Sequence, residues 1–217
     1  PDGKRLASAS PEGSVLLWSV AAGDEPRALA GHTGVPSALA FSPAGTSLAS
    51  ASADGNVRLW DAATGAPRRG PLAHPSAVSA IAFSPDGSML VAACWDGSVH
   101  LWDLMTGAEI RALRGHGKGA ISIAFSPDGG TVAAGGEDSS IRLWSLLTGG
   151  ELHTLKGHTD RVTALAFSPD GSTISSVSWD LTLRVWSVAS GEATGTFGER
   201  RPAMPSSSRT FRRIGAI

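Results

Sequence analysis

Cysteine is nearly absent from this 217-residue sequence: Cys94 stands alone, so no intrachain disulfide and no cysteine-based zinc site can form. That usage agrees with a reducing compartment, and the expected location is the cytoplasm. Charge is sparse and balanced, 17% of residues with a net −1, and selects no class of partner by itself. Its distribution is uneven: residues 199 to 217 hold five arginines and one glutamate (+4), which leaves −5 on the first 198. No apolar run is long enough to span a membrane as a helix. No GxSxG, HExxH or CxxC motif occurs either, so the common hydrolase, metalloprotease and redox signatures are missing. The chain begins at Pro1 inside a repeat and is therefore expected to be a piece of something longer, with any targeting segment upstream.

What the sequence does hold is a period. Tryptophan returns every 42 residues, at Trp18, Trp60, Trp102, Trp144 and Trp186. His32, His74, His116 and His158 keep the same step, as do Phe41, Phe83, Phe125 and Phe167. A period of this size marks one supersecondary unit copied and stacked. Within residues 157–198, Val162 to Phe167 reads as a strand and Ser168-Pro169-Asp170-Gly171 as a turn. A second strand covers Ile174 to Ser178, a tight turn opens at Asp180, a third strand runs to Trp186, and a weaker fourth ends at Phe197. The first strand of each unit is apolar on both faces, hence buried on both. The fourth tolerates Pro67 and is polar, hence outermost. A gradient from a buried inner strand to a solvated outer one is how a propeller blade is built.

The recurring Gly31-His32, Ala82 to Gly87 (AFSPDG), Asp54-Gly55 and Leu59-Trp60-Asp61 elements resemble those of the WD40 family, in wording close to bacterial WD-repeat proteins. The resemblance covers residues 1–198 and implies an all-β WD40 β-propeller. Four complete four-stranded blades are expected at 31–73, 74–114, 115–156 and 157–198, with a three-stranded partial blade at 1–30. Since the family's rings usually have about seven blades, an open arc of a larger ring is expected. Residues 199–217, rich in serine, proline and arginine, read as a flexible basic tail.

The family's blades are held by a hydrogen-bonded tetrad of His, Ser or Thr, Asp and Trp, with the hydroxyl two residues before the Asp. Carried over, this implies His32, Ser52, Asp54 and Trp60 in one blade and His158, Ser178, Asp180 and Trp186 in another. Cys94 and Gly136 occupy the serine position elsewhere, so the relays through His74, Asp96 and Trp102 and through His116, Asp138 and Trp144 are expected to be weakened. The first unit keeps Ser10 but has Glu12 for Asp and lacks the histidine.

A metal reading of the aligned histidines fails because one per blade cannot converge on one ion; no metal and no cofactor are expected. His100 and His153 fall where other copies carry arginine and read as solvated surface residues. The stretch Gly115 to Gly119 (GHGKG) lacks the first glycine and the Ser or Thr of a phosphate loop. Cys94 reads as a small packed residue. Trp95 and Trp179 precede turn aspartates where other copies have Pro11, Ala53 and Glu137. The family places this position on the top face, where partners dock, so these indoles read either as interface anchors or as caps on their own loops. Lys118, Asp160 and Arg161 share that rim. The favoured function is a non-catalytic scaffold binding a protein or peptide on the top face. The alternative is a regulatory or sensor segment of a larger bacterial signalling kinase or NTPase. The tail's arginines, with Phe211 the only aromatic among them, make nucleic acid a weak candidate. The unpaired edges of an open arc are expected to promote self-association.

Overall fold

A computed structural model describes residues 1–10, 12–21 and 25–198 of the chain. The proposed tail at 199–217 lies outside the described residues, as does Pro11. Among the described residues there is no helix; nineteen strands form five antiparallel sheets that do not close into a ring. The first sheet has three strands, β1 (Arg5–Ala9), β2 (Val15–Ser19) and β3 (Arg27–Leu29). The second runs β4 (Pro36–Phe41), β5 (Ser47–Ser52), β6 (Asn56–Asp61) and β7 (Leu72–Ala73). The third is β8 (Val78–Phe83), β9 (Met89–Cys94), β10 (Val99–Asp103) and β11 (Glu109–Leu113). The fourth is β12 (Ala120–Phe125), β13 (Thr131–Gly136), β14 (Ile141–Ser145) and β15 (Glu151–Leu155). The fifth is β16 (Val162–Phe167), β17 (Thr173–Ser178), β18 (Leu183–Ser187) and β19 (Ala193–Phe197).

Two turn chemistries set this rhythm. At each SPxG turn the glycine amide bonds the serine carbonyl, as Gly87 does to Ser84 at 2.9 Å, and the glycine takes a left-handed φ near 70°. The Asp86 carboxylate collects the Ser84 hydroxyl, the Ser88 amide and the Ser88 hydroxyl, and these bonds hold it down at about 2. At the outer hairpin the aspartate after tryptophan gathers the turn around its carboxylate. Asp61 accepts from the Ala63 and Thr64 amides and from the Thr64 hydroxyl. Proline accounts for the one irregular outer strand. Pro67 and Pro71 cannot donate to a ladder, so β7 shrinks to two residues and Val57 pairs Leu72, one step later than Val99 pairs Leu113.

Sheets join face to face, and every joint is built alike. Val15, Leu17 and Leu29 of the first sheet bury Leu48 and Trp60 of the second. Val57, Leu59 and Leu72 likewise cover Leu90 and Trp102. Polar ties reinforce the apolar ones. Near the hub a bulge in the inner strand turns Ser37 toward the Val78 carbonyl and Ser79 toward that of Ala120. At the rim Arg27, Arg69 and Arg111 reach the Thr64, Met105 and Thr148 carbonyls of the next sheet. His153 makes the equivalent contact to the Ala189 carbonyl at 3.2 Å, so it is a half-buried joint residue and not a freely solvated one.

The turn between second and third strands demands a left-handed residue. Gly13, Gly55 and Gly97 supply it in three sheets, while Ser139 and Leu181 are forced to φ 65° and 67° in the other two. Leu181→Gly should therefore raise stability by about 0.5–1 kcal/mol. Gly97→Leu should do the opposite and by more, because its Cβ would lie 2.6 Å from the His116 and Lys118 carbonyl oxygens. Chemical denaturation of both variants checks the pair; a destabilised Leu181→Gly would contradict the strain.

Candidate functional site

Two layers of side chains lie under and on one face of the arc, called the top face, where the turns between second and third strands emerge. The lower layer is the relay around the buried tryptophans. In the second sheet the Trp60 indole donates to Ser50 Oγ at 2.8 Å, Ser50 Oγ meets His32 Nε2 at 2.8 Å, and His32 Nδ1 meets Asp54 at 3.1 Å. An indole only donates and a carboxylate only accepts, so Trp60 gives its N–H to Ser50 and Asp54 receives that of His32 Nδ1. Burial opposes ionisation of Asp54, but bonds from the Thr33 and Asn56 amides and from His32 outweigh it and hold the carboxyl at about 2. The fifth sheet repeats the arrangement with Trp186, Ser176, His158 and Asp180.

The bridging hydroxyl is thus four residues before the aspartate, and the expected Ser52 and Ser178 are not in the relay. Register explains the difference. Ser50 pairs Arg58, which puts it diagonally beside Trp60 on one face, whereas Ser52 is another two residues farther along the strand. Ser52 Oγ instead accepts the Asp54 amide at 3.2 Å. Ser178 accepts the Asp180 amide and donates to the Asp160 carbonyl. In the first sheet Ser8, not Ser10, takes the Trp18 indole, at 2.8 Å.

It follows that the interruptions lie at Ala92 and Ala134, and not at Cys94 and Gly136. In the third sheet the Trp102 indole donates directly to His74 Nε2 at 3.0 Å, while His74 Nδ1 turns to the Gly55 carbonyl at 3.3 Å and away from Asp96. Asp96 is held by the Ser98 amide and hydroxyl. In the fourth sheet His116 keeps Asp138 at 3.0 Å, its Nε2 faces the Ala134 carbonyl at 3.3 Å, and the Trp144 ring lies edge-on. Gly136 leaves room for this, since a Cβ there would overlap His116 and Asp138. Cys94 is wholly buried and its thiol is pushed up to about 12 by burial, so it is inert as well as packed.

His100 corrects another expectation, because it is buried and not a solvated surface residue. In the second, fourth and fifth sheets an arginine here leans on the glycine before the histidine: a Cβ at Gly31 would sit 2.9 Å from the Arg58 guanidinium carbon. Where His100 replaces arginine, Ala73 replaces that glycine. His100 joins Ser98 Oγ at 2.9 Å and Glu109 at 2.7 Å, and its ring stands edge-on to His74. The resulting Ser–His–Glu line has a buried serine whose hydroxyl is engaged by Asp96, so no nucleophile faces a substrate. Among the described residues no group of three or more His, Cys, Asp or Glu could hold a metal.

The upper layer consists of the rim residues. Trp95 and Trp179 are 47% and 58% exposed, whereas Trp60, Trp102, Trp144 and Trp186 are buried. Their backbones are fixed: the Trp95 amide bonds the Ala77 carbonyl and the Trp179 amide that of Arg161, at 3.0 and 3.1 Å. The Trp95 ring lies on Gly119 of the next sheet, where an added Cβ would come within 2.9 Å of it. The Arg161 guanidinium stands 4.5 Å over the Trp179 ring and pairs Glu137 of the preceding sheet at 3.0 Å. Glu137, Arg161 and Trp179 are therefore one cluster, with Trp95 on Gly119 beside it. Lys118 is exposed next to Gly119, and Asp160 accepts the Arg161 amide at 2.7 Å. Gly119 is legible in sequence only as part of a failed phosphate loop; its service to Trp95 spans 24 positions and leaves no local signature.

The family model described as WD domain, G-beta repeat matches residues 23–61, 68–103, 107–145 and 149–187, together well over half of the chain. No curated protein matches it.

Ser176→Ala should cost about 1–3 kcal/mol, since it strands the Trp186 and His158 groups together. Ser178→Ala should cost less, and equal losses in urea unfolding would contradict the assigned bridge. A second test uses pH. Burial, aided by the His100 ring, pushes His74 down to about 4 from an ordinary 6.5. Unfolding thus takes up a proton between those values, and stability should fall as pH drops through that window, by at most about 3 kcal/mol. His158 is lowered by burial too, so His74→Gln should reduce the slope without abolishing it. An unchanged slope would contradict the burial argument.

Proposed function

The chain belongs to the WD40 family, and on that premise we propose that it is a non-catalytic scaffold that binds a protein or peptide on its top face, with Trp95 and Trp179 as anchors. WD40 repeats generally mediate protein–protein interaction. The observation that carries the reading is the contrast between two sets of indoles. Those that hold the sheets together are buried, whereas these two stand half in water at the one position of the repeat where the other copies are small or polar. Large aromatics held in this way are the usual centre of an interface.

Support also comes from their order. Each indole does cap a loop, Trp95 on Gly119 and Trp179 beneath Arg161, yet each keeps an open flank. Capping and anchoring are therefore complementary roles: the cap fixes the rotamer, which lowers the entropy lost when a partner covers the free side. Arg161 is already neutralised by Glu137, so on this side the surface offers flat apolar area with satisfied polar groups, and Lys118 contributes an exposed charge at the margin. Such a surface suits a peptide or loop carrying aliphatic or aromatic side chains with an acidic neighbour.

The test is selection of a displayed peptide library on the intact chain. Peptides so obtained should lose at least about tenfold in affinity for the Trp95→Ala/Trp179→Ala double variant, whose far-ultraviolet dichroism should stay that of the parent. Selected peptides that bind the double variant equally well would place the binding surface elsewhere.

A further inference from the structure

We propose that the third sheet contains a two-position switch: uncharged, His74 caps the Trp102 indole, and protonated, it crosses to Asp96 and displaces the turn that carries Trp95. The inference concerns the seating of that turn and does not depend on the function proposed above.

The resting contact is closed to a charged ring. His74 Nε2 accepts the Trp102 N–H at 3.0 Å, so the imidazole proton lies on Nδ1, which faces the Gly55 carbonyl at 3.3 Å. An imidazolium has two donors and no lone pair to offer an indole. Protonation therefore breaks the bond to Trp102 and leaves a second N–H that needs an acceptor.

The other sheets display where such a ring goes. His32, His116 and His158 stand on Asp54, Asp138 and Asp180 at 3.1, 3.0 and 2.9 Å. Two devices keep them there. In the second and fifth sheets the hydroxyls of Ser50 and Ser176 meet the far nitrogen at 2.8 Å. In the fourth sheet Ala134 removes that hydroxyl, but His116 and Asp138 close over Gly136, where a Cβ would overlap both. There Nδ1 faces the carboxylate and Nε2 the Ala134 carbonyl, two acceptors that an imidazolium satisfies fully. The third sheet has neither device. Ala92 supplies no hydroxyl and Cys94 fills the space that Gly136 leaves open, so the neutral ring rests on the indole instead. A positive charge on His74 supplies the attraction that is otherwise missing.

The groups around His74 allow this exchange. His100 stands edge-on to it at 5.2 Å with Glu109 behind, Asp96 and the uncharged Cys94 thiol lie at the turn, and Arg114 acts on Asp96 from just beyond β11. Burial, aided by the His100 ring, keeps His74 neutral down to about 4. Burial opposes ionisation of Asp96 as well, but bonds from the Ser98 hydroxyl and amide outweigh it and lower its carboxyl. A newly charged histidine thus meets a carboxylate that is still ionised.

Trp95 hangs between the two moving parts. Its amide bonds the Ala77 carbonyl at 3.0 Å, on the loop that begins at His74, and the residue after it is Asp96. Drawing His74 to Asp96 closes that loop on the turn and shifts the indole on its seat at Gly119. The remaining sheets already hold their histidines on aspartate, so this device belongs to the third sheet.

Nuclear magnetic resonance of the full chain over an acid titration tests the switch. At neutral pH the His74 ring should carry its proton on Nδ1 alone. The Trp102 and Trp95 indole signals should then move in one step as the ring gains its second proton, with a shared midpoint near 4. His74→Gln should abolish that step at Trp95. Two further variants work without acid: Ala92→Ser supplies the bridging hydroxyl and Cys94→Gly supplies the room. Either should seat His74 on Asp96 at neutral pH and shift the Trp95 signal in the direction that acid shifts it in the parent. Both keep the test decisive if the chain unfolds before the step is reached. A Trp102 signal that titrates while Trp95 stays fixed overturns the proposal, as does a second proton on His74 that leaves the Trp102 signal unmoved. So do Ala92→Ser and Cys94→Gly chains whose Trp102 and Trp95 signals match the parent's.

Discussion

Burial of one tryptophan at each of the four joints between sheets is the constraint on which the rest of this structure depends. The indole is large enough to fill the space between two twisted sheets, and its N–H needs an acceptor, which Ser50, His74 and Ser176 supply at three of the four joints. Both needs fix the geometry around it. The aliphatic residues of the sheet before, Val15 and Leu17 for Trp60, supply the apolar cover. The hydroxyl, imidazole and carboxylate behind it supply the polar answer.

The relay is more tolerant than a fixed tetrad would be. When the hydroxyl is lost at Ala92, the histidine moves up to take the indole itself and leaves its aspartate to Ser98. When it is lost at Ala134, the histidine keeps the aspartate and turns its other nitrogen to a backbone carbonyl. Different hydrogen-bond solutions coexist in one chain because the apolar joint sets the sheet spacing in every case. The polar groups then find what partners that spacing allows. This economy leaves the turn residues above free to vary, and there Trp95, Glu137 and Trp179 differ while their backbone bonds stay the same.

The architecture is legible because an uninterrupted period of 42 carries strand order and turn position together. The partial first sheet can be read for the same reason, from the turn at Pro1 to Gly3. The hydroxyl cannot. Ser50 and Ser52 share a face of one strand, and only the cross-strand register shows which lies diagonally beside Trp60. For His100, alignment with arginines suggests a solvated end; its burial depends on Ser98 and Glu109 acting together. The seat of Trp95 on Gly119 is hidden too, since contacts between sheets leave no mark within a repeat.

The division between indoles that build the joints and indoles that face outward is open to direct measurement by hydrogen exchange at the seven indole N–H groups, followed by nuclear magnetic resonance. Trp60, Trp102, Trp144 and Trp186 should exchange slowly, with the global unfolding of the chain, while Trp95 and Trp179 should exchange at once. Fast exchange at the joint indoles, or protection at Trp95 and Trp179 equal to theirs, would contradict the account.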